Sequence, residues 1–503
     1  MIRVIMGPPG TGKTTTLLDL LDDHLARGIS PESIGFISFT RKAVNEARDR
    51  AIDRFAFPVS SFKYFRTIHS LAFRQLGITR DEVVQKEHLQ ELGEIAGVEI
   101  KGTSSSLMVY EMTEDGDQLL FLDGLARATK RPLRQVWEES GVDLSYFQAE
   151  QFQQTYKKYR ETNALTDYSD MLERYEIEGI VPDLDVLFVD EAQDLSPIQW
   201  RIVERLIGSS KDTYIAGDDD QAVFKWSGAD VSYFIELGKQ HSTTVLDQSY
   251  RIPSQVHDLA VQLSARIKNR YPKEFRARDE EGLVESCFSL ESVEMDSGDW
   301  LVLVRNGYQI RQVIELCRLS GYPYRTAFES TNESDFIRGA IAWENLRKGR
   351  NTAVKELRIM ADLVVDLAPD RVERTIRGRS DSEIVGPAIL EGLGLQEKAS
   401  QAWHDVLNKI SIYDRTYLLS CRRRGEKVLQ DPRIHVSTIH GAKGGERDNV
   451  ALCLDMSYRT FSGYMDGPGY DDEVRVYYVG ATRAKNRLSI VEPQTRYYFQ
   501  ELN

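Results

Sequence analysis

Two hydrophobic rhythms alternate along this chain. Short apolar runs rich in β-branched and aromatic residues, at 2–6, 35–40, 185–190, 212–218 and 243–246, read as strands buried on both faces. Between them apolar residues recur at helical spacing: Leu17, Leu18, Leu20 and Leu21 after the first run, a segment over 41–52 after the second, and Leu71, Phe73 and Leu76 after a strand end near 65–70. Strand and helix in alternation predict an α/β architecture with a parallel, doubly wound sheet, whose ligands gather at the carboxyl ends of the strands.

The rhythm changes twice. From 81 to 165 strand signals vanish, Leu89, Leu92, Ile95 and Ala96 keep helical spacing, and a polar cluster at 103–106 reads as a turn. A second helical stretch, 335–430, places Val354, Leu357, Ala361, Val364 and Ala368 on one helical face. An acidic, loop-like stretch over 279–299 precedes a second set of strands at 300–305, 434–439, 450–454 and 488–491, with a helix through Ile310, Val313 and Leu316 and another over 473–478. The expected organisation is a first α/β core from 1–80 plus 166–250 with a mainly helical insertion at 81–165. A second core from 251–334 plus 431–503 carries its own helical insertion at 335–430.

Composition alters this picture little. Hydrophobic residues make up 41% and charged residues 28% of 503, ordinary values for a globular protein. The net charge is −14, so attraction to nucleic acid has to come from a local groove rather than from the whole surface. Basic clusters at Lys130, Arg131 and Arg134 and at Lys157, Lys158 and Arg160, beside Tyr156 and Tyr159, read first as solvated helix faces. Cys287, Cys317, Cys421 and Cys453 are dispersed and form no metal-binding pair. No apolar run approaches bilayer length and the first strand begins at once, so a cytoplasmic protein with no membrane partner is expected.

Chemistry enters at Gly7-Pro8-Pro9-Gly10-Thr11-Gly12-Lys13-Thr14-Thr15, set between a strand and a helix. Backbone N–H groups in such a loop converge on phosphate at a helix N-terminus. Lys13 neutralises the outer phosphates and the Thr14 hydroxyl suits Mg²⁺. The strand over 185–190 ends in Asp190-Glu191, where one carboxylate can reach the metal and the next can orient the attacking water. A nucleoside triphosphate is therefore the expected ligand, with ATP and Mg²⁺ as cofactors.

With these segments in place, the chain resembles UvrD/Rep-type superfamily 1 DNA helicases almost end to end. The motifs fall in that family's order: GPPGTGKT at Gly7, FTRKAVNEAR at Phe39, RTIHSLA at Arg66, TDYSDML at Thr166, VDEAQDLSPIQ at Val189, AGDDDQAVFKWSGAD at Ala216, LDQSYR at Leu246, STIHGAKGGE at Ser437 and YVGATRAKNRL at Tyr478. The resemblance implies two RecA-like domains. It implies Glu191 as general base, Gln221 as γ-phosphate sensor, Arg251 and Arg483 as arginine fingers, Tyr250 stacked on the nucleotide base and Glu446 at the ribose. It also implies a single-strand groove lined by Phe39, Thr40, Arg41, His69, Trp226, His440 and Lys443. The chain departs from the family in having Gly444-Gly445-Glu446 where Gly-Leu-Glu is usual and in shorter helical insertions. A glutamine-bearing segment before the phosphate loop and a duplex-splitting hairpin after the arginine motif, common in relatives, have no counterpart here, although Tyr497 and Tyr498 stand near the hairpin's place.

The function implied is an ATP-driven motor moving 3′ to 5′ on single-stranded DNA and opening duplex at single/double-strand junctions, with protein loading or repair partners. The alternative is a translocase that strips bound proteins or drives a larger complex with little unwinding of its own. A nucleotide-switched binding module is a third reading, and the full set of Glu191, Arg251 and Arg483 speaks against it, because a switch has no need of complete hydrolytic machinery.

Overall fold

The computed structural model describes residues 1–38, 41–102, 112–467 and 469–502. Phe39, Thr40 and the turn expected at 103–106 lie outside them. Among the described residues no helix is long and apolar enough to cross a membrane.

The strands of the first half are β1 (Ile2–Met6), β2 (Ile34–Ser38), β3 (Tyr64–Arg66), β4 (Leu184–Asp190), β5 (Ser210–Gly217) and β6 (Ser242–Val245). They form one parallel sheet in the order β3-β2-β4-β5-β1-β6. Alternate side chains explain the continuous apolar runs. Val4, Met6, Leu187, Val189 and Ile215 join one core cluster, and Ile5, Val186, Phe188, Tyr214 and Ala216 join the cluster on the opposite face. Registers Met6↔Gly217 and Ser38↔Asp190 bring the carboxyl ends of these strands level, so the loops leaving β1, β4 and β5 emerge side by side.

The second half supplies β7 (Leu283–Cys287), β8 (Trp300–Val304), β9 (Tyr324–Arg325), the two-stranded pair β10 (Thr352–Ala353) and β11 (Ile384–Val385), then β12 (Ile434–Thr438), β13 (Arg447–Cys453) and β14 (Ala484–Val491). Apart from the antiparallel β10-β11 pair, these build a second parallel sheet in the order β7-β14-β13-β8-β12-β9. Trp300, Val302 and Val304 face one cluster, and Leu301 and Leu303 face the other.

Three expectations need correction. The acidic stretch over 279–299 is not all loop, since β7 lies within it at the sheet's edge, paired to β14. The helical face drawn through Ala368 breaks early: the helix is Val354–Asp362, and Val364 joins the core after the helix has ended. The second helical stretch also contains the β10-β11 pair.

The two helical stretches are built differently. Leu92, Leu119, Leu122, Phe152 and Tyr156 form a core of their own in the first. In the second, Ile337, Trp343, Leu357 and Trp403 share one cluster with the second sheet. The basic residues of the first stretch are not simply a solvated face. Arg160 is buried and meets Asp167 at 3.1 Å and Asp170 at 2.9 Å. Arg127 joins Asp167 at 2.8 Å and Glu173 at 2.7 Å and also pairs with Asp170, which ties the Asp115–Thr129 helix to the Tyr168–Glu178 helix. Buried guanidiniums need such carboxylates, because an unpaired charge there costs several kcal/mol, on the order of 3–5.

Candidate active site between the two sheets

β1 runs directly into the glycine loop. Gly7 N–H donates to Gly217 O at 3.0 Å, which fixes the loop to the end of β5, and Thr11 closes it by donating from Oγ1 to Pro8 O at 2.8 Å. Gly10 and Gly12 have φ of 73° and 83°, a left-handed conformation that glycine alone adopts without steric cost. The helix Lys13–Ala26 follows with Gly12 at its N-cap and no side chain capping it. Its first N–H groups are thus left for an anion, and the helix dipole favours one there. Pro8, Pro9 and Thr11 are buried under the loop, and Thr15 is exposed. Lys13 Nζ donates to Gly7 O at 2.7 Å, so the lysine arches over the concavity its own loop encloses.

At the neighbouring strand end Thr14 Oγ1 donates to Asp190 Oδ2 at 3.0 Å. Burial, and next to it the Glu191 carboxylate, push Asp190 above the usual carboxylate range. Burial would raise Glu191 too, but Lys13, Lys443, Gln193 and Arg483 together hold it below its ordinary value. The pair therefore divides into one reluctant and one ready carboxylate. Glu191 has φ of 55°, a backbone conformation that costs a non-glycine residue about 1–3 kcal/mol and is kept only where surroundings enforce it. Its carboxylate accepts from Gln193 Nε2, while Gln193 Oε1 accepts from Asp218 N–H at 3.0 Å. Gln193, which the sequence reading passed over, thus spans the ends of β4 and β5 and aims Glu191.

Gln221 follows β5. Its Nε2 donates to Asp218 Oδ2 at 2.7 Å, and its Oε1 accepts from Arg483 Nη2 at 3.0 Å. Arg483 comes from the turn before β14 and is 1% exposed. Burial, then the positive charge of Arg251, lower its pKa to about 9. Arg251 pairs with Glu446, and Glu446 also faces Lys485 at 3.5 Å. The backbone before Arg251 sits on the phosphate loop itself: Tyr250 N–H donates to Gly10 O at 2.9 Å and Ser249 Oγ donates to Pro9 O at 2.8 Å. Tyr250 is 74% exposed beside this contact.

Lys443, a groove candidate, also meets the first half. Its side chain is 10% exposed, and its ammonium donates to Asp194 Oδ1 at 2.6 Å and to Gln221 O at 2.7 Å. It therefore links the two halves behind Gln221. Burial foremost raises Asp194 to about 7, against the pull of Lys443. Asp218, Asp219 and Asp220 converge on Lys273 at 3.2, 2.6 and 2.7 Å, a second charged tie between the β5 loop and the segment after Arg251.

Of the groove candidates, Trp226 and His440 come together, ring centroids 6.2 Å apart and edge to face. Phe224 and Phe121 complete that aromatic group, with Phe121 stacked on Trp226 at 6.2 Å. His440 is buried, and burial followed by Arg305 and Lys443 keeps it neutral far below its usual pKa. Arg41 is exposed at the start of the Arg41–Phe55 helix. His69 has a different ring neighbour, Tyr168 at 5.7 Å, and burial lowers it to about 4.

Comparison with known proteins gives a consistent picture. Residues 2–242 match the family model of the UvrD/REP helicase N-terminal domain, and residues 394–494 match that of the UvrD-like helicase C-terminal domain. The chain is 23% identical to the putative ATP-dependent DNA helicase YjcD of Bacillus subtilis, over 98% of this chain and 77% of that protein. It is 24% identical to the ATP-dependent DNA helicase UvrD2 of Mycobacterium tuberculosis, over 97% of this chain and 76% of that protein. To the probable DNA helicase II homologue of Rickettsia felis it is 23% identical, over 99% of this chain and 91% of that protein.

Proposed function

This chain belongs to the UvrD/REP helicase family, and from that membership we propose that it is an ATP-dependent DNA helicase, translocating 3′ to 5′ on single-stranded DNA and separating duplex ahead of it. The observation that carries the reading is the meeting of the two halves at one phosphate loop. Arg483 reaches to 3.0 Å from Gln221, and the segment of Arg251 rests on Gly10. A nucleotide bound on that loop lies where both guanidiniums converge.

ATP binding draws Lys13 from Gly7 O to the outer phosphates. Glu191, held by Gln193, positions and deprotonates the water that attacks the γ-phosphate, and Arg251 and Arg483 take up the charge spread over its oxygens. Gln221 links that event to Asp218 and to the second half. When the γ-phosphate leaves, the two guanidiniums lose their common partner and the halves part, which is how turnover becomes motion. Tyr250 stacks on the nucleotide base and Glu446 lies toward its ribose.

Magnesium suits the residues present. The Thr14 hydroxyl and the Asp190 carboxylate are hard oxygen donors already 3.0 Å apart, and among the described residues the buried Asp190 has no ion-pair partner, a place a divalent ion would fill. Thr14 and Asp190 would hold such an ion, which would neutralise negative charge on the phosphates.

Single-stranded DNA runs over Trp226, with His440 at its edge and Arg41 and His69 further along, and bases stack without regard to sequence; Phe39 and Thr40, also groove candidates, lie outside the described residues. Lys443 then serves the coupling between halves. The test is ATP turnover with and without a single-stranded oligonucleotide. Turnover is expected to rise with the oligonucleotide in the native chain and to be lost in Glu191→Gln and Lys13→Ala. Turnover that persists in Glu191→Gln would remove Glu191 from its role as base, and turnover indifferent to the oligonucleotide would remove the motor reading.

A further inference from the structure

The Asp115–Thr129 helix of the first helical stretch lies against the loop that carries Trp226. Phe121, Leu125 and Ala128 share one face of that helix by their spacing. At Gly228 a side chain would find Leu125 Cδ1 at 3.3 Å, Ala128 Cβ at 3.5 Å and Thr129 Cγ2 at 3.2 Å, and φ of 100° already favours glycine there. The helix therefore packs on bare backbone, two residues beyond Trp226. One turn toward its start, Phe121 meets the indole itself, with the ring planes within 8° of parallel. His440 presses on the indole at 89°, and Phe224 leans on it at 58°. Trp226 Nε1 is buried and has no hydrogen-bond acceptor among the described residues. Aromatic contact, not a hydrogen bond, sets the indole's orientation. The helix cannot drift, because Arg127 fastens it to Asp167 and Glu173.

We infer that Phe121 is a positioning residue for strand binding, holding the Trp226 indole, from the first helical stretch, in the orientation in which it receives a base. The inference rests on the reading of Trp226 as a stacking platform. An indole already fixed gives up little side-chain freedom when a base arrives, whereas a loose one gives up its rotamers on binding. It also makes the first helical stretch part of the grip on the strand.

The test is a fluorescence-anisotropy titration of the full chain against a short labelled oligothymidylate, without nucleotide, for the native chain, Phe121→Ala, Phe121→Tyr, Trp226→Ala and the double variant Phe121→Ala/Trp226→Ala. Phe121→Ala is expected to bind roughly three- to tenfold more weakly, the size of one aromatic pair, and Phe121→Tyr to restore binding. The double variant is expected to be no weaker than Trp226→Ala alone, because Phe121 acts only through the indole. Losses that add in the double variant, or native binding by Phe121→Ala, would overturn the inference. Native binding by Trp226→Ala would instead overturn the platform reading beneath it, a separable result. Thermal melts report folding. If Phe121→Ala melts early, Phe121→Leu, which keeps bulk but not the flat face, carries the test with the same expected loss.

Discussion

Replacing Gly10 by alanine isolates the contact on which coupling between the two halves depends. At φ of 73° an alanine pays the left-handed penalty, about 1–2 kcal/mol. Its Cβ would overlap Arg251 Cβ and lie 2.9 Å from Ser249 Oγ and 3.1 Å from Arg251 N. The nearest neighbour is thus the root of a side chain rather than a flexible tip. Relief requires lifting the segment of Arg251 off the loop, at an overpacking cost of about 1–3 kcal/mol. The bonds from Tyr250 N–H to Gly10 O and from Ser249 Oγ to Pro9 O then stretch or break. The sum is about 2–5 kcal/mol, and if ~3 kcal/mol of it falls on the hydrolytic state, turnover drops about a hundredfold. Gly28→Ala is the matched control. Its φ is 86°, yet nothing lies within 4 Å of a Cβ there, so it pays the backbone penalty alone. Steady-state ATP turnover of both variants, alongside urea unfolding, separates strain from displacement. Turnover in Gly10→Ala within twofold of Gly28→Ala, at comparable stability, would refute the reasoning.

Two further outcomes are expected. Trp226→Ala is expected to reduce the ratio of strand-stimulated to unstimulated ATP turnover roughly tenfold, since one stacked base contributes about 1–3 kcal/mol; an unchanged ratio would remove Trp226 from the groove. His69 gives a pH signature: burial holds it at about 4 in the native chain against an ordinary value of 6.5. Between those values the unfolded chain binds a proton that the native one refuses, so this group lowers stability as pH falls from about 6.5 toward 4 and costs nothing above 6.5. Urea midpoints at about pH 7 and pH 5 should differ less in His69→Asn than in the native chain, by about 1–2 kcal/mol. Equal differences would show that His69 is not protected.

What could be read from the chain depended on how each residue is buried. β1, β2, β4, β5 and β8 face apolar clusters on both sides, so their sequences are unbroken apolar runs and legible at once. β7 escaped because an edge strand needs only partial cover: Leu283 is exposed and Glu285 pairs with Arg487, so the run reads as part of an acidic loop. The helix drawn too long past Asp362 misled for the opposite reason, as Val364 stays buried in the same core after the backbone has left the helix. At the site, the phosphate loop and Asp190-Glu191 are local in sequence and carry their chemistry in their spacing. Gln193 sat inside a motif already quoted, and its role depends on a bond to Asp218 across a strand boundary. Lys443 and Asp194 are 249 positions apart, and no local pattern announces that pairing. Phe121 reads as one more apolar residue in an amphipathic helix; only its spacing with Leu125 and Ala128, set against the glycine at 228, marks a face turned to something other than its own core.

The activity on which everything else depends is ATP-driven strand separation. Partial duplexes bearing a 3′ or a 5′ single-stranded tail, incubated with the chain, ATP and Mg²⁺, and with Lys13→Ala as control, measure it directly. Separation of the 3′-tailed substrate alone, dependent on ATP and lost in Lys13→Ala, is the expected result. Separation from the 5′ tail alone would reverse the direction. Strand-stimulated hydrolysis with no separation of either substrate would contradict the helicase reading and leave a translocase in its place.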